Sequence, residues 1–410
     1  GKAAPSLSGW GQEGDFKRAA VSFTEDGVYG FSIMGVDLAE NSMEIYESGT
    51  FIIDQTPPKI EITGVEHQSA NNQMVAPQIR CLDENYDIGQ TRIRLESFQK
   101  GVQEYEGTRR EHQYGMECRM EDFAYVPEMD DLYCLQVVAC DLAGNQSMEE
   151  VLFSVNRFGS VYTLEEQTDL LAGEKGRYYT NQEQDLIITE TNVDSLLFRE
   201  ITCNRDGKLC TLTEGKDYTV RTEEIEGGWK QYQYTINKSN FSEEGTYVLT
   251  LYSEDLAQNP SDNYTKGKKL EFAVDKTAPD ILVSGIEDGG QYRENSRRIT
   301  ADVRDNLCLF GAEAVINGIP VTYYASEVLA EDGRIALTAG SANHWQTLQV
   351  TACDAAGNQT STKICRFLIT PNLLVQFCMD RPMFYGMWGI LCLTAVLAGG
   401  IWHFRKRGRK

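Results

Sequence analysis

The chain has 410 residues, 41% of them hydrophobic and 24% charged, with 38 basic residues against 61 acidic ones and a formal charge of −23. Five of the basic residues, Arg405, Lys406, Arg407, Arg409 and Lys410, lie at the very end, so the remainder carries 33 against 61, a net of −28. Such a surface repels nucleic acid and anionic lipid, which excludes DNA or RNA as a partner, and the length leaves room for three or four domains of ~100 residues.

The opening stretch, Gly1 to Asp15, is polar and Gly-rich and has no signal-peptide apolar core. An exported chain needs one, and the first repeat lacks its early strands, so the expectation is a C-terminal portion of a longer protein. Then a strand-and-turn pattern recurs four times. Tyr29-x-Phe31-x-Ile33 leads to Asp37-Leu38-Ala39-Glu40-Asn41, and Tyr133-x-Leu135-x-Val137 to Asp141-Leu142-Ala143-Gly144-Asn145. Tyr247-x-Leu249-x-Leu251 leads to Asp255-Leu256-Ala257-Gln258-Asn259, and Leu348-x-Val350-x-Ala352 to Asp354-Ala355-Ala356-Gly357-Asn358. The anchoring aspartates are 104, 114 and 99 residues apart, the period of a domain rather than of a solenoid repeat. Period-two alternation marks half-buried strands. After each turn a strand ends Phe51-Ile52-Ile53, Phe153-Ser154-Val155, Phe272-Ala273-Val274 or Phe367-Leu368-Ile369, closing each module with a hairpin.

Two modules also open alike, Asp54-Gln55-Thr56-Pro57-Pro58 matching Asp275-Lys276-Thr277-Ala278-Pro279 at an offset of 221 that still holds at Asn85 and Asn306. A proline there suits a linker and a first edge strand. A tyrosine before three of the turns, at 29, 133 and 247, follows Asp26-Gly27, Asp130-Asp131 or Glu244-Gly245, where a tyrosine corner of an immunoglobulin-like sandwich would sit. The predicted fold is all-β: tandem Ig-like β-sandwich modules followed by one C-terminal transmembrane helix. Its expected divisions are a partial module 1–53, modules 54–156, 157–274 (a variant) and 275–370, a linker 371–382, the span 383–404 and a basic tail 405–410.

The Asp-x-Thr-x-Pro openings and Asp-x-Ala-Gly-Asn endings resemble the Ig-like repeat domains of bacterial cell-surface proteins, over about nine tenths of the chain. The third module, with Asn156-Arg157-Phe158 at its start and Trp229-Lys230-Gln231-Tyr232 within, is similar to a recurring variant in such proteins. The resemblance implies a sandwich fold and a surface location, and speaks weakly about ligands.

In an Ig-like sandwich the entry, the B–C loop and the F–G loop meet at one pole. That pole would gather Asp54, the Asp83-Glu84-Asn85 loop and Asp141 in the second module, and Asp275, Asp305, Asn306 and Asp354 in the fourth. Clustered carboxylates suit Ca²⁺, which takes six to eight oxygens, so Ca²⁺ is the one candidate cofactor and Asp54, Asp83, Asn85, Asp141, Asp275, Asp305 and Asp354 are its candidate ligands. The alternative is that each Asp caps its own turn and each Asn is left-handed, with no ion. The third module offers only Asn156, Glu190 and Asn192 beside Asp255, so no strong site is expected there.

Of the eleven cysteines, Cys203 and Cys210 flank Asp206-Gly207 and pair by counting outward across a two-residue turn, a candidate disulfide. Cys353 and Cys365 flank the last hairpin and are the second candidate. No His-Glu-x-x-His, Cys-x-x-Cys, Gly-x-Ser-x-Gly or phosphate loop is present, and no catalysis is expected. Trp229, Tyr232 and Tyr234 could stack on sugars if exposed, although core or sheet packing is the expected role.

The stretch 383–404 has no Asp, Glu, Lys or Arg, with Phe384, Tyr385 and Trp388 near one end and Trp402 near the other, and a basic hexapeptide follows. This is the pattern of a single span whose positive end stays cytoplasmic and whose acidic part lies outside. The function expected is a non-catalytic surface spacer or adhesion array held by that span, with an extracellular protein or glycan as candidate ligand. The competing expectations are the anchoring region of an extracellular hydrolase whose catalytic domain lies upstream, and a carbohydrate-binding module.

Overall fold

Alternation translates directly into burial. Asp131–Asp141, Gly245–Asp255 and Gln346–Asp354 each place every second side chain inside and its neighbours half outside, as a strand facing one core must. The computed structural model describes residues 5–104, 108–121, 123–172, 177–379 and 381–407.

Three β-sandwiches follow one plan. In the second module Lys59–Thr63, Gln78–Leu82, Gly115–Arg119 and Thr108–His112 form one sheet. The facing sheet runs Ser69–Asn71, Gln146–Val155, Asp131–Asp141, Tyr86–Ser97 and Gly101–Glu104. The entry strand therefore switches sheets: Lys59–Thr63 pairs antiparallel with Gln78–Leu82, whereas Ser69–Asn71 lies parallel to the last strand. The third and fourth modules repeat the switch, with Tyr178–Thr180 parallel to Leu270–Val274 and Gly290–Tyr292 parallel to Cys365–Ile369. The expected closing hairpin is present as Asp131–Asp141 against Gln146–Val155.

Each sandwich encloses its own core. One cluster holds Ile79, Ile93, Leu135, Tyr133 and Phe153, a second Leu186, Ile188, Tyr234, Leu249 and Phe272, and a third Ile299, Val303, Val350, Phe367 and Ile369. Burying a side chain of this size contributes roughly 1.5–3 kcal/mol. Tyr232 and Tyr234 both lie in the second of these cores.

None of the described residues of 5–53 is fully buried. Short strands there pair in twos, and the apolar content is an aromatic group of Phe23, Tyr29, Phe31 and Phe51.

The tyrosine corners form. Tyr29, Tyr133 and Tyr247 donate their hydroxyls to the carbonyls of Glu25 (2.9 Å), Met129 (2.8 Å) and Glu243 (2.6 Å), four residues upstream in each case. Beyond the last sandwich the linker is itself helical over Leu373–Met379, and a helix of 27 residues follows over Arg381–Arg407. Within it Pro382–His403, 22 residues, is long and apolar enough to cross a bilayer.

Candidate functional site

The repeated Asp-to-Asn turn is a clasp, and it explains what assembles at each pole. Asp141 accepts the Asn145 backbone N–H at Oδ1 (2.8 Å) and its Nδ2 at Oδ2 (2.7 Å). Asp354 does the same with Asn358 at 2.8 and 2.7 Å, and Asp255 with Asn259 at 2.9 and 3.0 Å. The same Asn Nδ2 also donates to the carbonyl oxygen of the residue at which the chain enters its sandwich: Asp54 (3.0 Å), Asn156 (2.8 Å), just before the expected boundary at 157, and Asp275 (2.8 Å). The closing turn is thereby stitched to the entry strand, and the entry side chain lands beside the anchor. The left-handed residue of each turn precedes the Asn: Glu40, Gly144, Gln258 and Gly357 have φ of 67°, 93°, 64° and 89°. This corrects the expectation that the Asn itself adopts that conformation.

The poles of the second and fourth modules gather the expected carboxylates. Asp54, Asp83 and Asp141 form one group and Asp275, Asp305 and Asp354 the other, with one oxygen of each residue within 4.8 Å of the others. At that separation two charges repel by about 3–4 kcal/mol at an effective dielectric of ~20. The two groups differ in how this repulsion is met. In the second module Asn85 donates its amide to Asp54 Oδ2 (2.6 Å) and its backbone N–H to Asp83 Oδ1 (2.6 Å). In the fourth module the residue two after the loop aspartate is Leu307, whose backbone N–H donates to Asp305 Oδ2 (3.0 Å) but which brings no side-chain amide, while Asn306 donates to Glu244 of the preceding module (3.2 Å). Asp275 Oδ2 and Asp305 Oδ1 are then buried without a partner.

The electrostatics follow. Burial holds the Asp275 carboxyl at about 6, relieved in part by the Thr277 N–H and pushed further by Asp305, Asp354 and Glu244. Asp83 is also raised, by burial first and then by Asp54, Asp141 and Glu84 against the relief from Asn85. The same turn standing alone acts oppositely, for the Asn41 side-chain and backbone donors hold the exposed Asp37 below its ordinary value.

At the third module's pole amides replace carboxylates. Asn156 Nδ2 lies 2.8 Å from Asn192 Oδ1, 3.0 Å from Asp194 Oδ2 and 2.9 Å from Asp255 Oδ2, and Asn192 Nδ2 reaches Asp255 Oδ2 at 3.1 Å. All four residues are buried. Glu190 joins this pole through Ser160, whose hydroxyl accepts from Asn192 Nδ2 at 2.8 Å. It accepts the hydroxyls of Ser160 (2.5 Å), Tyr162 (3.2 Å), Tyr234 (2.7 Å) and Ser253 in a fully buried network.

A second clasp, absent from the sequence reading, crosses every junction. The acidic residue three before each corner tyrosine accepts the backbone N–H of the residue that follows the next sandwich's entry residue, Asp54, Asn156 or Asp275. Gln55 N donates to Asp26 (2.9 Å), Arg157 N to Asp130 (2.6 Å) and Lys276 N to Glu244 (2.7 Å). The signal was in the Asp26-Gly27, Asp130-Asp131 and Glu244-Gly245 pairs, but their partners are main-chain groups that no motif displays.

The junction of the second and third modules adds more. Arg157, with no exposed side-chain surface, pairs its Nε with Asp130 Oδ1 at 3.0 Å and reaches the carbonyls of Phe123 and Val126. Its guanidinium also lies 5.2 Å from the Tyr125 ring. Trp229 donates its indole N–H to Asp131 Oδ1 at 2.8 Å. The sugar platform considered for Trp229, Tyr232 and Tyr234 does not form: the first is engaged at the junction, and the other two are buried.

The register sets Cys203 opposite Cys210, as counting predicts, and both are thiols here. Cys353 and Cys365 are not brought together. Cys353 faces Gln359 and Cys365 faces Leu348, five residues further along the strand, or roughly 17 Å at 3.4 Å per residue. That is beyond any disulfide.

No family model and no curated protein matches the chain. Among solved structures it is similar to the fibronectin(III)-like modules of CbhA from Clostridium thermocellum, at 12% identity, TM-score 0.23, over 51% of this chain and 94% of that one. It is also similar to a 1.5-MDa bacterial ice-binding adhesin (12% identity, TM-score 0.25, 78% of this chain and 100% of that one). A third is a Ca²⁺-stabilized adhesin of an Antarctic bacterium that binds ice (13% identity, TM-score 0.22, 87% and 86%). Likenesses this distant carry no functional argument; the sandwich fold rests on the pairing and cores described above.

Proposed function

We propose that the chain is a non-catalytic, single-pass surface protein whose Ig-like modules form a spacer and adhesion array, held in the membrane by Pro382–His403 with the basic end inside. The observation that carries this reading is the junction clasp at Asp26, Asp130 and Glu244. Each module grips the entry of the next through the same backbone contact, which favours a fixed angle over a free linker. The acidic surface suits the outside of a cell, and the polarity of the helix follows from its flanking charge.

The test is protease added to intact cells that carry the protein with a C-terminal tag. Degradation of the modules, leaving a protected fragment of the span and tail, is the expected result. Full protection of the modules refutes the topology.

A further inference from the structure

The three poles can be ranked by how completely hydrogen-bond donors neutralise their carboxylates. In the third module two Asn amides stand among Asp194 and Asp255 and supply the positive ends of N–H bonds. In the second module one amide, from Asn85, reaches Asp54. In the fourth module Leu307 stands two after the loop aspartate where the second module has Asn85, the Asn306 amide goes to Glu244, and Asp275, with no exposed surface, keeps Oδ2 without a donor beside Asp305 and Asp354. The nearby Lys276 ammonium does not serve this pole, since it contacts Glu183 Oε1 and the Ser242 carbonyl at 2.6 Å each. A buried carboxylate oxygen with no donor, facing two further carboxylates, must take up a proton or a cation, and three carboxylates with oxygens within 4.8 Å of one another form a ready set of cation ligands.

We propose that Asp275, Asp305 and Asp354 form a Ca²⁺ site that locks the third module to the fourth, while Asn156 and Asn192 do the same work without metal in the third module. An all-oxygen donor set from aspartates, without His or Cys, suits a hard cation. Calcium tolerates the irregular arrangement that a turn, a loop and a linker provide, whereas magnesium demands near-ideal octahedral geometry. Asp275 opens the linker, and Asn306, one residue from Asp305, holds Glu244 of the preceding module. Metal bound here therefore fixes residues on both sides of the junction. The second and third modules are a permanent pair, closed by amides and by the Arg157–Asp130 ion pair. The fourth module, next to the membrane helix, is the one whose attachment calcium governs. This consequence rests on the array reading above; the site itself does not, and loss of surface location would leave the binding result untouched.

The experiment is amide hydrogen exchange on the full chain in detergent micelles, stripped with chelator and titrated with calcium chloride. Exchange at 305–308 and 354–358 slows at least tenfold with a midpoint of about 0.1–1 mM, the range of extracellular modules, while 156–158 and 255–259 do not change. Asp275→Asn, which imitates Asn156, gives slow exchange without calcium and no further response. The proposal is overturned by no response up to about 10 mM, by an equal response at the third module's pole, by an equal response to magnesium chloride, or by an Asp275→Asn chain that still responds.

Discussion

Replacing Asp130 by alanine tests the junction of the second and third modules most directly. Asp130 is 6% exposed and takes three donors: the Arg157 Nε (3.0 Å), the Arg157 N–H (2.6 Å) and the Phe158 N–H (2.9 Å). Arg157 has 0% of its side chain exposed. Its removal therefore strands a buried guanidinium and two backbone N–H groups. Breaking a buried pair from one side costs about 3–5 kcal/mol, because the remaining charge has lost its partner without gaining water. The guanidinium lies against the Phe123 and Val126 carbonyls and the Tyr125 ring, so the cost falls on the second module. For a unit of about 100 residues this lowers Tm by on the order of 15–25 °C. Calorimetry of the full chain in detergent measures it, with amide exchange along Asp131–Asp141 assigning the transition to that module. Glu121→Ala is the control: its pair with Arg119 has side chains 65% and 58% exposed and should cost under about 1 kcal/mol. A loss for Asp130→Ala no larger than the control's refutes the reasoning, since the pair would then be solvated. A double change, Asp130→Leu with Arg157→Met, should recover part of the loss by removing both charges together.

Two further outcomes are expected. Gly115 has φ of +139°, and a Cβ there would lie 1.9 Å from the Cys81 carbonyl oxygen, so Gly115→Ala must force Gln78–Leu82 and Gly115–Arg119 apart and cost at least ~3 kcal/mol. Gly144→Ala, left-handed at +93° but with nothing within 4 Å, should cost only about 1–2 kcal/mol; equal costs in calorimetry would show that the close approach is immaterial. Burial, and then the neighbouring Cys210, push the Cys203 thiol up to about 12, so at pH 8 iodoacetamide should label exposed Cys210 well before Cys203. Mass spectrometry showing the reverse order would contradict the facing of that hairpin.

The fold and the poles were legible because they rest on local rules repeated within the chain. Alternation gave the strands, and the offset of 221 gave corresponding poles, since a sandwich brings its entry and two loops together whatever fills its core. Counting across Asp206-Gly207 worked because both turn residues are left-handed, at 50° and 85°, which keeps the two strands in step. The same counting across the last turn pairs Cys353 with Gln359, so the proposed bridge to Cys365 ignored a register that the sequence already contained. Partner choice was not legible. The offset of 221 pairs Asn85 with Asn306, yet Asn85 lies two after Asp83 and Asn306 one after Asp305, and one amide turns inward to Asp54 while the other turns outward to Glu244. The difference traces to loop register, since Leu307 and not Asn306 makes the backbone bond that Asn85 makes, and Glu244, one methylene longer than Asp26, offers Asn306 an outward acceptor. Both accept from the linker, at Gln55 N and Thr56 Oγ1 for Asp26 and at Lys276 N and Thr277 Oγ1 for Glu244. Glu244 takes both linker bonds on Oε1 and leaves Oε2 for Asn306. With no loop amide turned inward, Asp275 Oδ2 is left without a donor, so the register of one short loop sets the charge balance of this pole.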